Sequence, residues 1–419
     1  APYLDPSGEL ATFTKIDDYT IRWTFAQPNF NFLRGSWFVR WGGLGGYVGG
    51  NTYLPWHHFK QFHPAFTAKA ELDAAVEAEG LERWDQLFNQ KKHWGNNPEV
   101  PVIGPFVGIT DSRTAIWKIE RNPYFWAVDS SGNQLPYLDT ILGETVNDSE
   151  IMNLKAMSGA ADMQYRGIES EKLPLFMANR EKGGFEVKLW PSPAGGDATV
   201  FFNQTHGFPG FVGDAEVGKW LRTFEFRRAL SLATDREEIQ SAVFLGTGKI
   251  RAAIPPSWLA YYPGADYEKK FTEFDPVEAE KILDEIGLSA KDSEGYRLRT
   301  DGTGDRLEIR LTHNWMGGTV TELIARQWED VGLRVHAVVD KPHPANRNEF
   351  QVHISYQGNF ESDPWGDVHL TPGRGQHYYA SVEVGRWYET QGAEGLDPGT
   401  VPEFAPLDKM LDLYVSGMG

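Results

Sequence analysis

Residues 307–339 form the segment that most constrains the fold of this chain. Leu307, Ile309 and Leu311 alternate with polar residues, and the stretch TVTELIARQWEDVG that follows has helical spacing of its apolar residues. The next run, LRVHAVVD, alternates again. A strand, a helix and a second strand within about 35 residues form a βαβ unit, in which the two strands are parallel. The second half of the chain is therefore predicted to be an α/β unit.

Other segments of the second half have clear boundaries. In FDPVEAEKILDEIGL, Asp275 is predicted to cap a helix, Pro276 to occupy its first position, Glu278 to complete a capping box and Gly287 to end it. FRRALSLATDREEIQSAVFLGTG predicts two helices divided at Asp235. The run FQVHISYQG predicts a further strand.

The first half is richer in strands and less regular. VIGPFVGI and TAIWKIER predict two strands joined by a turn, and DATVFFNQ predicts a buried strand that ends near Asn203. SEIMNLKAMSG predicts a helix ended by Gly159, followed by a strand over ADMQYR. The loop NPYFW has no reactive side chain, and we expect its rings, Tyr124, Phe125 and Trp126, to be inserted into a core.

Composition excludes several functional classes. A length of 419 residues favours two or three domains. The net charge of −18, without a cluster of Lys and Arg, argues against nucleic acid as a partner. The chain has no cysteine, which excludes thiol nucleophiles, disulfides and Cys-based zinc sites. No apolar run approaches the roughly 20 residues that a membrane-spanning helix requires.

The known signatures of catalysis and cofactor binding are missing. WGGLGGYVGG lacks the GxGxxG spacing, and neither a GxSxG elbow nor a P-loop occurs. His57, His58 and His63 lie close together but not in a HExxH pattern, so we predict no metal site and no cofactor. No catalytic residue is assigned.

Three carboxylates lie between aromatic residues in GNFESDPWGD. Glu361, Asp363 and Asp367 alternate with Phe360 and Trp365. A glycoside hydrolase would use two such carboxylates, one on each side of the sugar. Because carboxylates so close in sequence rarely supply both catalytic groups, the pattern favours a binding loop, and a secreted glycoside hydrolase remains the alternative.

Several segments in collinear order resemble family 5 extracellular solute-binding proteins, the oligopeptide- and dipeptide-type receptors of bacterial ABC importers. FEFRRALSLATDREEI and DPVEAEKILDEIGL resemble two helical segments of that family. The segment from GPFVGI to PYLDTI resembles its signature region. The matching residues there are Gly104, Pro105, Phe106, Glu120, Arg121, Asn122, Pro123, Phe125, Trp126, Pro136, Tyr137, Leu138 and Asp139.

The resemblance implies an α/β, two-lobed periplasmic binding protein fold of the type II, three-subdomain variety. Residues 1–103 would form an outer subdomain of lobe I, residues 104–205 the sheet subdomain of lobe I, and residues 206–419 lobe II. It also implies that the chain is a fragment lacking N- and C-terminal elements of lobe I. We therefore expect poor solubility, because unpaired strand edges would be exposed.

The same resemblance implies that the protein binds a solute without catalysing a reaction. The protein would capture an oligopeptide or oligosaccharide by lobe closure, as a monomer in the periplasm or on a lipid anchor, and deliver it to the permease subunits of an ABC importer. A chaperone-like binder of unfolded peptides is a third possibility. Six residues are candidates for solute contact: Asn203, Tyr356, Asn359, Phe360, Asp363 and Trp365.

One of these residues departs from the family pattern. Aligning Tyr356 with the family's tryptophan places Asn359 where peptide-binding members carry an aspartate for the α-ammonium of the ligand. Asparagine supplies no such charge, although Glu361 or Asp363 could. Asparagine, aspartate and tryptophan together also suit a sugar. Peptide and oligosaccharide both remain open.

Overall fold

The computed structural model describes residues 9–28, 54–190, 194–259, 262–313, 318–339, 348–359 and 380–418, with residues 170, 194–195, 356–359 and 414–418 described by their backbone alone. The strands among these residues are β1 Thr12–Lys15, β2 Ile21–Thr24, β3 Phe106–Gly108, β4 Ile116–Arg121, β5 Thr140–Glu144, β6 Ala194–Phe202, β7 Glu308–His313, β8 Arg334–Val339 and β9 Val352–Asn359. The α-helices are α1 Trp56–Phe59, α2 Lys69–Ala78, α3 Trp84–Lys91, α4 Ser149–Met157, α5 Leu173–Gly183, α6 Ala215–Arg222, α7 Phe224–Leu232, α8 Arg236–Ala242, α9 Ala265–Glu268, α10 Pro276–Leu283, α11 Gly318–Asp330, α12 Val382–Glu389 and α13 Ala405–Met418.

The largest sheet in the described part of the chain has four strands in the order β6-β9-β7-β8. Strand β7 is parallel to both β8 and β9, and β6 is antiparallel to β9. Helix α11 connects β7 to β8, so the βαβ unit predicted from residues 307–339 is confirmed.

One face of this sheet packs against helices of the second half. Leu311 and Val352 from the strands join Leu230 of α7 and Leu283 of α10 in one buried cluster. Trp328 of α11 is 1% exposed, and its indole Nε1 donates 3.1 Å hydrogen bonds to the Leu230 carbonyl and the Thr234 hydroxyl. Burial of these large apolar side chains supplies the main stabilisation of the unit.

The opposite face of the sheet is also covered. Phe201 of β6 packs with Phe350 and with Val382 at the start of α12. His353 and Thr312 are buried and meet through Nδ1 and Oγ1 at 2.9 Å. Because both faces are covered, the strands can be apolar on either side, which is typical of sheets with parallel pairs.

The first half forms smaller units. β3, β4 and β5 make an antiparallel three-stranded sheet, which confirms the two strands predicted at residues 102–121. The Trp117 ring lies so close to Gly143 on the neighbouring strand that a Cβ there would come within 1.9 Å of it. Leu72, Val76 and Leu87 form a small core between α2 and α3.

The prediction for the NPYFW loop is wrong for Tyr124 and Trp126, whereas Phe125 is half-buried. Tyr124 is 91% exposed and Trp126 is 73% exposed, so these rings are not inserted into a core. Polar bonds fix the loop instead: the Asn122 side chain donates to the Gly104 carbonyl at 2.9 Å and accepts from the Tyr124 amide at 3.0 Å. The Asp129 carboxylate accepts the Tyr137 hydroxyl at 2.7 Å.

Most predicted helix boundaries are confirmed. The carboxylates of Asp235 and Asp275 each accept the backbone N–H three residues later at 2.9 Å, as N-caps do. Gly287, at φ 105°, lies in the turn that follows α10. The capping box at Glu278 is wrong in its second half, because the Asp275 amide donates to the Leu232 carbonyl instead.

Two further predictions concern the segment ADMQYR and the lobe boundary at residue 205. ADMQYR is not a strand; residues 161–166 contain neither helix nor strand. The boundary at residue 205 stays a prediction. The pairing of β6 with β9 places residues 194–202 in the same sheet as strands that follow residue 206.

Candidate functional site

The carboxyl ends of three parallel strands meet at one edge of the large sheet. β7 ends at His313, β8 at Val339 and β9 at Asn359. β6 runs the other way, so its first residue, Ala194, pairs with Asn359 at this same edge. In open α/β sheets, ligands bind outside the carboxyl ends of the strands. This edge is therefore the candidate site.

The edge has a step. The last pair between β7 and β9 joins His313 to Ile354, whereas β9 stays paired with β6 as far as Asn359. At about 3.3 Å per residue, the β6–β9 ribbon extends roughly 16 Å beyond the end of β7. The ribbon therefore projects past the carboxyl ends of β7 and β8.

The candidate residues fall into three groups with respect to this edge. Tyr356 and Asn359 belong to the projecting part of β9. Phe360, Asp363 and Trp365 follow β9 directly and lie outside the described residues, as do Glu361 and Asp367. Their contact with a solute stays a prediction.

Asn203 is the exception, because it lies at the opposite end of the ribbon. It follows β6, and its amide N–H donates to the Gln351 carbonyl just before β9 begins. Val352 and Asn359 are seven residue steps apart along β9, which corresponds to roughly 23 Å. The structure therefore does not bring Asn203 together with Tyr356 and Asn359.

The Asn203 side chain is fully buried and completely hydrogen-bonded. Its Nδ2 donates to Asn348 Oδ1 at 2.7 Å and to the Phe350 carbonyl at 3.1 Å. Its Oδ1 accepts the Thr205 amide at 3.2 Å and lies 2.9 Å from the Thr205 hydroxyl. Both amide hydrogens are used within the protein. The predicted solute contact of Asn203 stays a prediction, and the described contacts give the residue a structural role.

Thr205 and Asn348 extend this network, which we call the Asn203 cluster (Asn203, Thr205 and Asn348). The Asn348 side chain donates to the Thr205 carbonyl at 3.2 Å, and the Thr205 hydroxyl accepts the Glu383 amide at 3.3 Å. Asn348 has a φ of 51°, a conformation that asparagine tolerates better than most residues. The cluster joins the end of β6, the start of β9 and the start of α12.

Two buried titratable groups lie next to the Asn203 cluster. His206 is 3% exposed, and burial lowers the pKa of its imidazole; its Nε2 accepts the Asp214 amide at 3.1 Å. Burial raises the pKa of the Glu383 carboxyl, against the opposing effect of Arg386. Neither residue was singled out from the sequence. The only available sign was the polar run NQTHG directly after a buried strand.

Within the described part of the chain, no group of three or more His, Asp or Glu side chains could hold a metal ion. The His63 ring contacts Trp84 instead, at a centroid distance of 5.0 Å, and its Nδ1 accepts the Ala65 amide at 3.1 Å. Within the same ranges, no helix has both the length and the apolar character needed to cross a bilayer.

Comparison with known proteins identifies the family. The family model described as "Bacterial extracellular solute-binding proteins, family 5 Middle" matches residues 1–376. The chain belongs to this family. The resemblance inferred from the sequence is thereby confirmed.

Curated relatives of this solute-binding protein differ in what their names say they bind. The periplasmic alpha-galactoside-binding protein of Rhizobium meliloti (strain 1021) is 27% identical over 350 residues, covering 78% of this chain and 44% of its own length. The oligopeptide-binding protein AppA of Bacillus subtilis (strain 168) is 26% identical over 270 residues, covering 62% of this chain and 43% of its own length. The chain thus spans less than half of each of these relatives.

Solved structures confirm the α/β fold class of periplasmic binding proteins. The oligopeptide-binding protein OppA has a TM-score of 0.61 and 30% identity, and the match covers 97% of this chain and 64% of that one. The periplasmic binding protein MelB from Agrobacterium fabrum C58, in complex with stachyose, has a TM-score of 0.66 and 20% identity, covering 99% and 58%. These relatives are binding proteins, and nothing found supports the glycoside hydrolase alternative.

Proposed function

We propose that this protein is the extracytoplasmic solute receptor of an ABC importer. The observation that carries the proposal is the stepped sheet edge of a family 5 solute-binding protein, where three parallel strands end beside the β6–β9 ribbon. An edge of this kind can hold a solute between two units without any reacting group. The protein needs no metal, cofactor or catalytic residue for this role.

Binding would act through closure of the two lobes. A solute that contacts both lobes binds the closed form more tightly than the open form, so it shifts the population toward closure. Residues 1–103 and 104–205 would contribute lobe I, and residues 206–419 lobe II. The closed monomer, in the periplasm or on a lipid anchor, would then deliver its solute to the permease subunits.

An oligosaccharide is the solute class that we favour. Asn359 supplies an amide where a peptide receptor needs a carboxylate for the ligand's α-ammonium group. An amide can both donate to and accept from sugar hydroxyl groups. Tyr356, Phe360 and Trp365 add rings for stacking against a sugar, and Asp363 adds an acceptor. The names of the alpha-galactoside-binding relative and of the stachyose complex agree with this choice.

An oligopeptide is the second candidate. Glu361 or Asp363 would then bind the α-ammonium group in place of the family's aspartate. The oligopeptide-binding names of OppA and AppA favour this alternative.

A thermal unfolding screen separates these candidates. The purified protein is heated with α-galactosides, cello-oligosaccharides and xylo-oligosaccharides, and separately with di- to hexapeptides. A ligand at 100 times its dissociation constant adds about 2.7 kcal/mol and raises the melting temperature by a few degrees. We expect selective shifts with saccharides. Melting-temperature shifts with selected peptides alone would assign the site to peptides. Similar shifts with many unrelated peptides would indicate a chaperone-like binder. Turnover of a glycan would contradict a pure binding function.

A further inference from the structure

Trp190 lies close to the sheet edge that forms the candidate site. It precedes β6 by four residues, and β6 begins at Ala194, opposite Asn359. Four residues span at most about 14 Å even when fully extended. The backbone therefore keeps Trp190 within about 14 Å of Ala194, which lies at the outer end of the β6–β9 ribbon.

The indole of Trp190 is open to solvent. It is 77% exposed, and the neighbouring Leu189 is 65% exposed. Tryptophan combines a large, flat apolar ring with one N–H donor, so an exposed indole near a binding site can contact a ligand through its face. Trp190 therefore offers an accessible ring face within reach of the outer end of the β6–β9 ribbon.

The structure assigns to Trp190 the role of a solute-contact residue that stacks on the apolar face of a pyranose ring. This inference rests on the proposed function and adds a residue to its site. An indole ring presents a flat apolar face and one N–H donor, and a pyranose presents a flat face of C–H groups bordered by hydroxyls. The chain's net charge of −18 favours a neutral sugar over an acidic one.

The test uses two substitutions at Trp190 and one matched control. Trp190→Ala removes the side chain, and Trp190→Leu keeps an apolar group while removing the ring. Trp126→Ala is the control, because Trp126 has a similar exposure of 73% but lies in the loop between β4 and β5, which belong to the separate three-stranded sheet. Isothermal titration with an α-galactoside tetrasaccharide gives the dissociation constant of each protein, and circular dichroism verifies folding.

We expect both substitutions at Trp190 to weaken saccharide binding by about tenfold or more, and Trp126→Ala to leave it unchanged. The tryptophan fluorescence change on saturation should also fall in Trp190→Leu. If the wild type binds the saccharide and folded Trp190→Leu binds it with the same affinity, this inference is overturned. The proposed function would stay intact in that case. A wild type that binds neither saccharides nor peptides would instead overturn the proposed function.

Discussion

At the scale of single residues, Asn203 shows how a sequence can identify an important position without identifying its role. Its place after a buried strand was visible in the sequence, but its partner Asn348 lies 145 residues away. A hydrogen bond over that separation depends on the pairing of β6 with β9, which no local pattern encodes. The prediction that a strand ends near Asn203 is confirmed, because β6 ends at Phe202, whereas the full burial of the Asn203 amide could not be predicted.

Asn203→Ala should destabilise the protein. The substitution removes both hydrogen bonds that Asn203 Nδ2 donates and leaves the Thr205 amide without its acceptor in a buried environment. Leaving buried polar groups unpaired costs about 1–3 kcal/mol each, so we expect the free energy of unfolding to fall by at least about 2 kcal/mol in urea titrations.

Asn147→Ala is the matched control, because Asn147 is exposed in the bend before α4. Its free energy of unfolding should stay within about 0.5 kcal/mol of the wild type. If Asn203→Ala were as stable as this control, the structural role of the Asn203 cluster would be contradicted.

At the scale of elements, the loop between β6 and α6 contains a buried histidine. His206 receives the Asp214 N–H, and Gly213, at φ 130°, passes so close that a Cβ there would lie 2.6 Å from the imidazole. Burial is the main cause of the lowered pKa of His206. Asp214 opposes this effect, and Arg222 adds to it.

The lowered pKa of His206 predicts a pH dependence of stability. The folded state favours the neutral imidazole, whereas the unfolded chain takes up a proton near its ordinary pKa of 6.5. The wild type should therefore lose stability as the pH falls from about 6.5 toward the lower pKa of the folded state. Urea unfolding between pH 7.5 and pH 5 should show a smaller loss for His206→Gln than for the wild type. Equal pH dependence in the two proteins would show that His206 is not responsible.

Elements with strong local signals could be predicted from the sequence. Asp235 and Asp275 begin helices through their own carboxylates, and the βαβ unit follows from alternation and helical spacing. The NPYFW rings could not be placed, because an aromatic residue in a loop is compatible with burial or exposure. The structure exposes Tyr124 and Trp126 while polar bonds hold the loop.

At the scale of the whole molecule, the site follows from topology. Three parallel strands end at one edge, and the longer β6–β9 ribbon projects past that edge. The sequence predicted Tyr356 and Asn359 near the end of a strand, but it grouped them with Asn203. It could not show that β6 runs antiparallel to β9, which places Asn203 at the far end.

The most direct test of the proposed sugar site is isothermal titration of an α-galactoside tetrasaccharide into the wild type and into Asn359→Ala. We predict binding of one saccharide per monomer by the wild type, with roughly tenfold weaker binding after the substitution, because the amide loses its contacts with sugar hydroxyl groups. No saccharide binding by the folded wild type, or equal affinity in the two proteins, would contradict the proposal that this sheet edge binds a sugar.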